Sequence, residues 1–110
     1  MEHRWGERRP SNKPVYLRTR SGLAAKGCVR DVSISGAFVV TPLPAPLFSY
    51  VCVCFHGPYG TRHVNAEAEG QVVRRLGDGF AVEWCEFAPQ AVRTLMAPEL
   101  PAPARAAGER

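Results

Sequence analysis

The chain has 110 residues, a formal net charge of +4, 45% hydrophobic and 22% charged residues. That length suits one domain and leaves no room for a substrate domain with a lid, and the composition is that of a folded chain, not a disordered one. Apolar stretches are short and broken by Pro and Gly, and the segment around Arg4, Trp5 and Gly6 lacks the apolar run of a secretion signal, so no membrane insertion and a cytoplasmic location are expected.

Residues 1–13 show no hydrophobic period and read as an extended basic arm, bounded by Pro10 and Pro14. Residues 1–20 hold Arg4, Arg8, Arg9, Lys13, Arg18 and Arg20 against Glu2 and Glu7, which accounts for the whole net charge and leaves the other ninety residues balanced. A basic arm on a neutral body points to an anionic partner: a nucleotide, a nucleic acid or an acidic protein. Val15–Arg20 alternates apolar and polar residues as a half-buried strand does. Ser21-Gly22 and Lys26-Gly27 punctuate the next stretch of chain. Cys28–Ile34 reads as a second strand, with Val32 and Ile34 facing one way and Val29, Asp31 and Ser33 the other. Gly36 breaks it, Ala37–Thr41 resumes extended structure, and residues 42–46 form a Pro-rich loop.

Tyr50–His56 is β-branched, aromatic and Cys-rich, a strong strand signal, and Gly57-Pro58-Tyr59-Gly60 is turn chemistry. His63–Leu76 is a long strand with a bend expected at Gly70. Gly77-Asp78-Gly79 supplies a tight hairpin, after which Phe80, Val82 and Trp84 point inward. Pro89 suits a first helical residue, and Val92, Leu95 and Met96 come after it at helical spacing. Pro98 ends that helix. The predicted architecture is an all-β, six-stranded antiparallel β-barrel with a short C-terminal helix covering one opening. The expected organisation is a basic arm over 1–13, the barrel and helix over 14–98, and a disordered tail over 99–110.

Cys52 and Cys54, two apart on a strand, share a face. With no Cys-x-x-Cys pair, no His at ligand spacing and a reducing compartment, all four cysteines (Cys28, Cys52, Cys54 and Cys85) are expected to be buried free thiols, and no metal is expected. His3, His56 and His63 are scattered, with no nucleophile beside any of them, so neither catalysis nor a cofactor is expected.

Two elements remain: Arg4-x-x-x-Arg8 with Arg9 directly after it, and Asp31-x-Ser33-x-x-Gly36. Arginine forks its donors onto guanine O6 and N7, stacks on purines and bridges phosphate oxygens. A carboxylate is acceptor-only and suits the adjacent donors of the guanine Watson–Crick edge. Ser33 can donate or accept beside it, and Gly36 leaves space for close backbone approach or a positive φ. Residues 31–36 taken alone also fit an ordinary strand end closed by an Asx or Ser turn.

In this order the two elements resemble the paired signature of PilZ domains. The likeness extends over the barrel strands, Glu69-Gly70-Gln71-Val72-Val73, the Gly79–Trp84 strand and the final helix. The resemblance implies a six-stranded barrel that binds cyclic di-GMP on its outer surface, with Arg4, Arg8 and Arg9 clamping guanine and phosphate and Asp31, Ser33 and Gly36 on the base side. Arg74 and Arg75 fall near its border, although exposed strand charges of this kind more often only solvate. The resemblance further implies a receptor that signals to an unidentified protein effector, and the unpatterned, charged arm with its Gly6 is expected to order as the ligand binds. Two other readings stay open: a PilZ-like interaction scaffold that binds no nucleotide, and a small basic nucleic-acid-binding barrel. The latter is not expected, because such domains stack bases on exposed aromatics, whereas Phe38, Phe55, Phe80 and Trp84 read as inward.

Overall fold

Alternation writes the core directly into the first strand: Val15, Leu17 and Thr19 are buried while Tyr16, Arg18 and Arg20 face solvent. A computed structural model describes residues 8–59 and 62–96. Among these, six strands run β1 (Arg9–Thr19), β2 (Ala24–Val32), β3 (Gly36–Val40), β4 (Tyr50–Tyr59), β5 (Arg62–Leu76) and β6 (Gly79–Trp84), and one helix, α1 (Gln90–Met96), comes after them. All pairings are antiparallel, and the order β1-β2-β3-β6-β5-β4 closes as β4 returns to β1. This is the predicted six-stranded barrel with its short helix.

Leu17, Val29, Val39, Val53, Phe55, Val72, Phe80 and Val82 fill the interior. Ala91 and Val92 of α1 join that cluster and cover one opening, and Leu43 and Ala45 close the other. The Pro-rich segment is therefore more than a connector. Its prolines 42, 44 and 46 alternate with Thr41, Leu43 and Ala45, and of these Leu43 and Ala45 enter the core. The barrel is thus plugged by a chain unable to pair as a central strand. No buried side-chain nitrogen or oxygen lacks a hydrogen-bond partner among the described residues.

Three expectations need correction. The barrel begins at Arg9, so residues 9–13 belong to β1 and not to the arm; the pairs Arg9↔Val32, Pro10↔Asp31 and Lys13↔Val29 hold them. Pairing also continues through Gly57-Pro58-Tyr59, matched to Val64, His63 and Arg62, so these residues extend β4 where a turn was expected. Both corrections have one cause. The β1–β4 ladder covers only Tyr16–Thr19 against Val51–Cys54, so Pro10, Pro14 and Pro58 lie on stretches with a strand on one side, where a missing N–H is tolerated.

The third concerns facing. Arg30 is an extra residue relative to β3, between the pairs Val29↔Val39 and Asp31↔Phe38. This β-bulge shifts the alternation by one. Val29 and Val32 both enter the core, and Asp31 stays outside. Phe38 also faces outward, between the inward Ala37 and Val39; it is only 4% exposed because the Arg30 guanidinium lies over its ring, 4.1 Å from the centroid.

Gly36 and Gly79 are required where β3 and β6 touch. A Cβ on Gly36 would collide with the Val82 carbonyl, and one on Gly79 with that of Val39. Replacing Gly36 with Ala is expected to destabilise the fold by roughly 2 kcal/mol or more. Gly22→Ala, where φ is +104° but the space is open, should cost about 1 kcal/mol. Urea denaturation of the two variants checks that order.

Candidate ligand-binding site

The β1–β2 register builds the site. Because Arg9 lies opposite Val32 and Pro10 opposite Asp31, the residue entering β1 arrives beside the end of β2. There Arg8 Nη1 donates to Asp31 Oδ1 at 2.5 Å, an ion pair across 23 positions of sequence with both side chains partly exposed (43% and 29%). Arg8 and Asp31 are thus the two predicted site residues whose side chains the fold joins. Arg9 stands next to them at the head of β1. Arg4 lies outside the described residues.

Ser33 and Gly36 have different work. β2 ends at Val32, so Ser33 is not on a strand face beside Asp31 but in the turn into β3. It is fully buried. Its Oγ accepts from the Ser35 and Gly36 N–H groups at 3.2 Å each and lies 2.9 Å from Ser35 Oγ. The Ser33 N–H donates to the Gly36 carbonyl at 2.8 Å. The turn is fastened from behind: Trp84 Nε1 donates to the Ser33 carbonyl at 3.0 Å. The Trp84 and Ala88 N–H groups donate to the Ser35 and Ile34 carbonyls at 2.9 and 3.1 Å. Gly36 has no positive φ; what approaches its backbone is β6.

Two residues beyond the core of the expected set shape the outer face. Arg30, displaced by the bulge, stacks on Phe38 directly beside Asp31. Arg74 falls in the same row, opposite Ala81, which is itself opposite Phe38. Arg75 instead donates to the Ala45 carbonyl at the plugged end. Sequence reasoning passed over Arg30 because its orientation depends on a bulge that leaves no local signature.

The cysteines depart from expectation as well. Cys54 is buried, Cys28 and Cys52 are half-buried and Cys85 is exposed, all as free thiols. Cys52 and Cys54 face outward, since Val51, Val53 and Phe55 take the core side of β4. Burial and a hydrogen bond donated to Glu67 push the Cys52 thiol up to about 12, and that same bond lowers the Glu67 carboxyl.

Comparison with known proteins came to a consistent result. The family model for the PilZ domain matches residues 2–97. Among solved structures, the PilZ domain of CeSA from a cellulose-synthesizing bacterium is similar, with a TM-score of 0.67 at 20% identity, over 82% of this chain and 95% of that one. At that identity the likeness concerns the fold. No curated protein matches the sequence significantly.

The geometry separates a structural serine from an exposed carboxylate. In ligand-free protein, Ser33→Ala should cost about 1–3 kcal/mol, since it strands buried N–H groups. Asp31→Asn should change stability by less than about 1 kcal/mol, because it removes only a partly exposed ion pair. Chemical denaturation decides; the reverse order would mean that the Ser33 hydroxyl is not what holds the turn.

Proposed function

The chain belongs to the PilZ domain family, a family of cyclic di-GMP receptors, and from that premise we propose that it binds cyclic di-GMP across the outer face around Asp31 and signals to a protein partner. The Arg8–Asp31 pair supports this reading most. It joins a guanine-edge donor and a guanine-edge acceptor, one from each half of the signature, at the rim of a rigid barrel. The Arg8 guanidinium has five donors, one of which goes to Asp31. A partly exposed ion pair is worth at most about 1 kcal/mol, whereas a bidentate arginine–guanine contact is worth about 1–3 kcal/mol, so a ligand can share or open the pair at small cost.

In this reading Arg4, Arg8 and Arg9 hold guanine and phosphate, and Asp31 accepts from a guanine edge. Ser33 and Gly36 hold the turn that presents Asp31 and do not themselves reach the ligand. Arg30, fixed on Phe38, adds a flat cation beside the base. Bridging Arg4 to the Asp31 face draws the segment before β1 across the barrel, which presents a new surface to an effector at the cost of ordering that segment. No catalytic step is involved. Among the described residues the exposed aromatics Tyr16, Phe48 and Phe87 sit on separate elements, which is no platform for stacking successive bases of a nucleic acid.

Calorimetric titration with cyclic di-GMP, with GTP and an oligonucleotide as controls, tests the proposal. Arg4→Ala and Arg8→Ala should each weaken binding about thirtyfold or more, equivalent to roughly 2 kcal/mol, with little change in the ligand-free Tm. Asp31→Asn should weaken binding and relax the preference for guanine over adenine dinucleotides. Trp5 emission should shift on binding, and Trp5→Phe should abolish that shift while Trp84 still reports the core. Unchanged affinity in the Arg4→Ala/Arg8→Ala double variant would sink the site assignment. A parent chain that ignores cyclic di-GMP would favour the interaction-scaffold reading.

A further inference from the structure

On the far side of β1 from Asp31, the barrel seam gathers a second set of chemically active side chains. Cys54 pairs with Glu67 of β5 on one side and Tyr16 of β1 on the other, and Cys52 pairs with Glu69 and Arg18. The two sulfurs are 3.9 Å apart, and Cys52 Sγ donates to Glu67 Oε1 at 3.3 Å. The two Sγ atoms and a Glu67 carboxylate oxygen all lie within 4.8 Å of one another, and no other three His, Cys, Asp or Glu side chains converge in this way among the described residues.

We propose that Cys52, Cys54 and Glu67 form a binding site for a thiophilic divalent cation of the zinc class, with a fourth position open to water or an added ligand. The spacing fits before any ion arrives. Zinc–sulfur bonds of about 2.3 Å at a tetrahedral angle put two thiolates about 3.8 Å apart, and a carboxylate oxygen at about 2.1 Å from the ion lies about 3.6 Å from each sulfur. The strands already hold the Cys pair and the Cys52–Glu67 pair within a few tenths of an ångström of those separations.

Charge fits as well. On binding, the ion displaces the Cys52 and Cys54 thiol protons to solvent, and two thiolates and a carboxylate then carry three negative charges against its two positive ones. Arg18 supplies the remainder: its Nη1 donates to Cys54 Sγ at 3.6 Å, and its Nη2 is 3.6 Å from Glu67 Oε1. A neighbour that contacts two ligands at once also orients them, as surrounding groups do in metal sites. Two sulfur donors select zinc-class ions over magnesium and calcium, which need oxygen cages. Two of the donors, Cys52 and Glu67, open onto a surface concavity that Arg18, Thr19, Arg20 and Glu69 also line, which gives an ion a path in.

The test is a titration of the reduced full chain with Co2+, then competition with Zn2+, and is independent of nucleotide binding. One equivalent of Co2+ should produce a thiolate-to-cobalt charge-transfer band that one equivalent of Zn2+ removes. Cys52→Ser and Cys54→Ser should each weaken binding about a hundredfold or more and Glu67→Gln about tenfold, with far-UV circular dichroism as the check on folding. A Cys28→Ser/Cys85→Ser double variant should keep both band and affinity. No band at saturating cobalt, or a band that survives in the Cys52→Ser/Cys54→Ser double variant, overturns the site. Unchanged affinity in Glu67→Gln, an exposed residue whose replacement leaves the core intact, overturns the three-donor assignment.

Discussion

Four residue pairs close this barrel. Tyr16–Thr19 of β1 lie in register with Cys54–Val51 of β4, and at the centre of that seam Leu17 and Val53 face each other across it, both fully buried. Without those pairs the sheet would end in two bare edges, each with a row of unpaired backbone donors and acceptors. β1 must therefore serve two partners: β2 along most of its length and β4 over its last third. Both chemically interesting regions hang on that double duty. The start of β1 sets Arg8 against Asp31, and its end sets Arg18 against Cys54 and Glu67.

The parts of the fold legible in the sequence are those governed by strict alternation or by a sharp local signal. Phe80, Val82 and Trp84 enter the core as their period requires, Gly77 and Asp78 make the β5–β6 turn, and α1 begins just after Pro89. The misread stretches are those where a local rule met a tertiary exception. Pro10, Pro14 and Pro58 look like strand breakers, yet they sit where the seam has already parted and a strand has a partner on one side only. Phe38 reads as a core residue by size. Alternation along β3, with Ala37 and Val39 inward, puts it outside instead, where a guanidinium covers it.

The candidate sites were legible to different degrees for the same reason. Arg8 and Asp31 belong to two short motifs whose chemistry is complementary, so the sequence suggests their association, although only the register supplies the contact. For Ser33 the sequence allows either a ligand contact or a turn, and its burial and the Trp84 bond to its carbonyl favour the turn. Of the cluster at the seam, the sequence shows only the shared face of Cys52 and Cys54. Cys52-x-Cys54 resembles no metal motif, because its third donor comes from the next strand and its charge partner from the strand that closes the barrel. Chemistry assembled across three strands has no linear spacing to recognise.

The bulge at Arg30 lets β2 carry one residue more than its neighbour β3 without disturbing what faces inward. Upstream of it the odd-numbered residues Ala25 and Val29 turn inward; downstream the inward position is the even-numbered Val32. Arg30 is thus a phase correction in a pattern of period two. Removing that residue would leave Val29 and Asp31 consecutive opposite Val39 and Phe38, so plain alternation would keep Asp31 outside and Val32 inside and only the cation over Phe38 would be lost. Viewed as a history of mutations, the extra residue reads as an insertion that the sheet absorbs by bulging, and the outward carboxylate keeps its place with or without it.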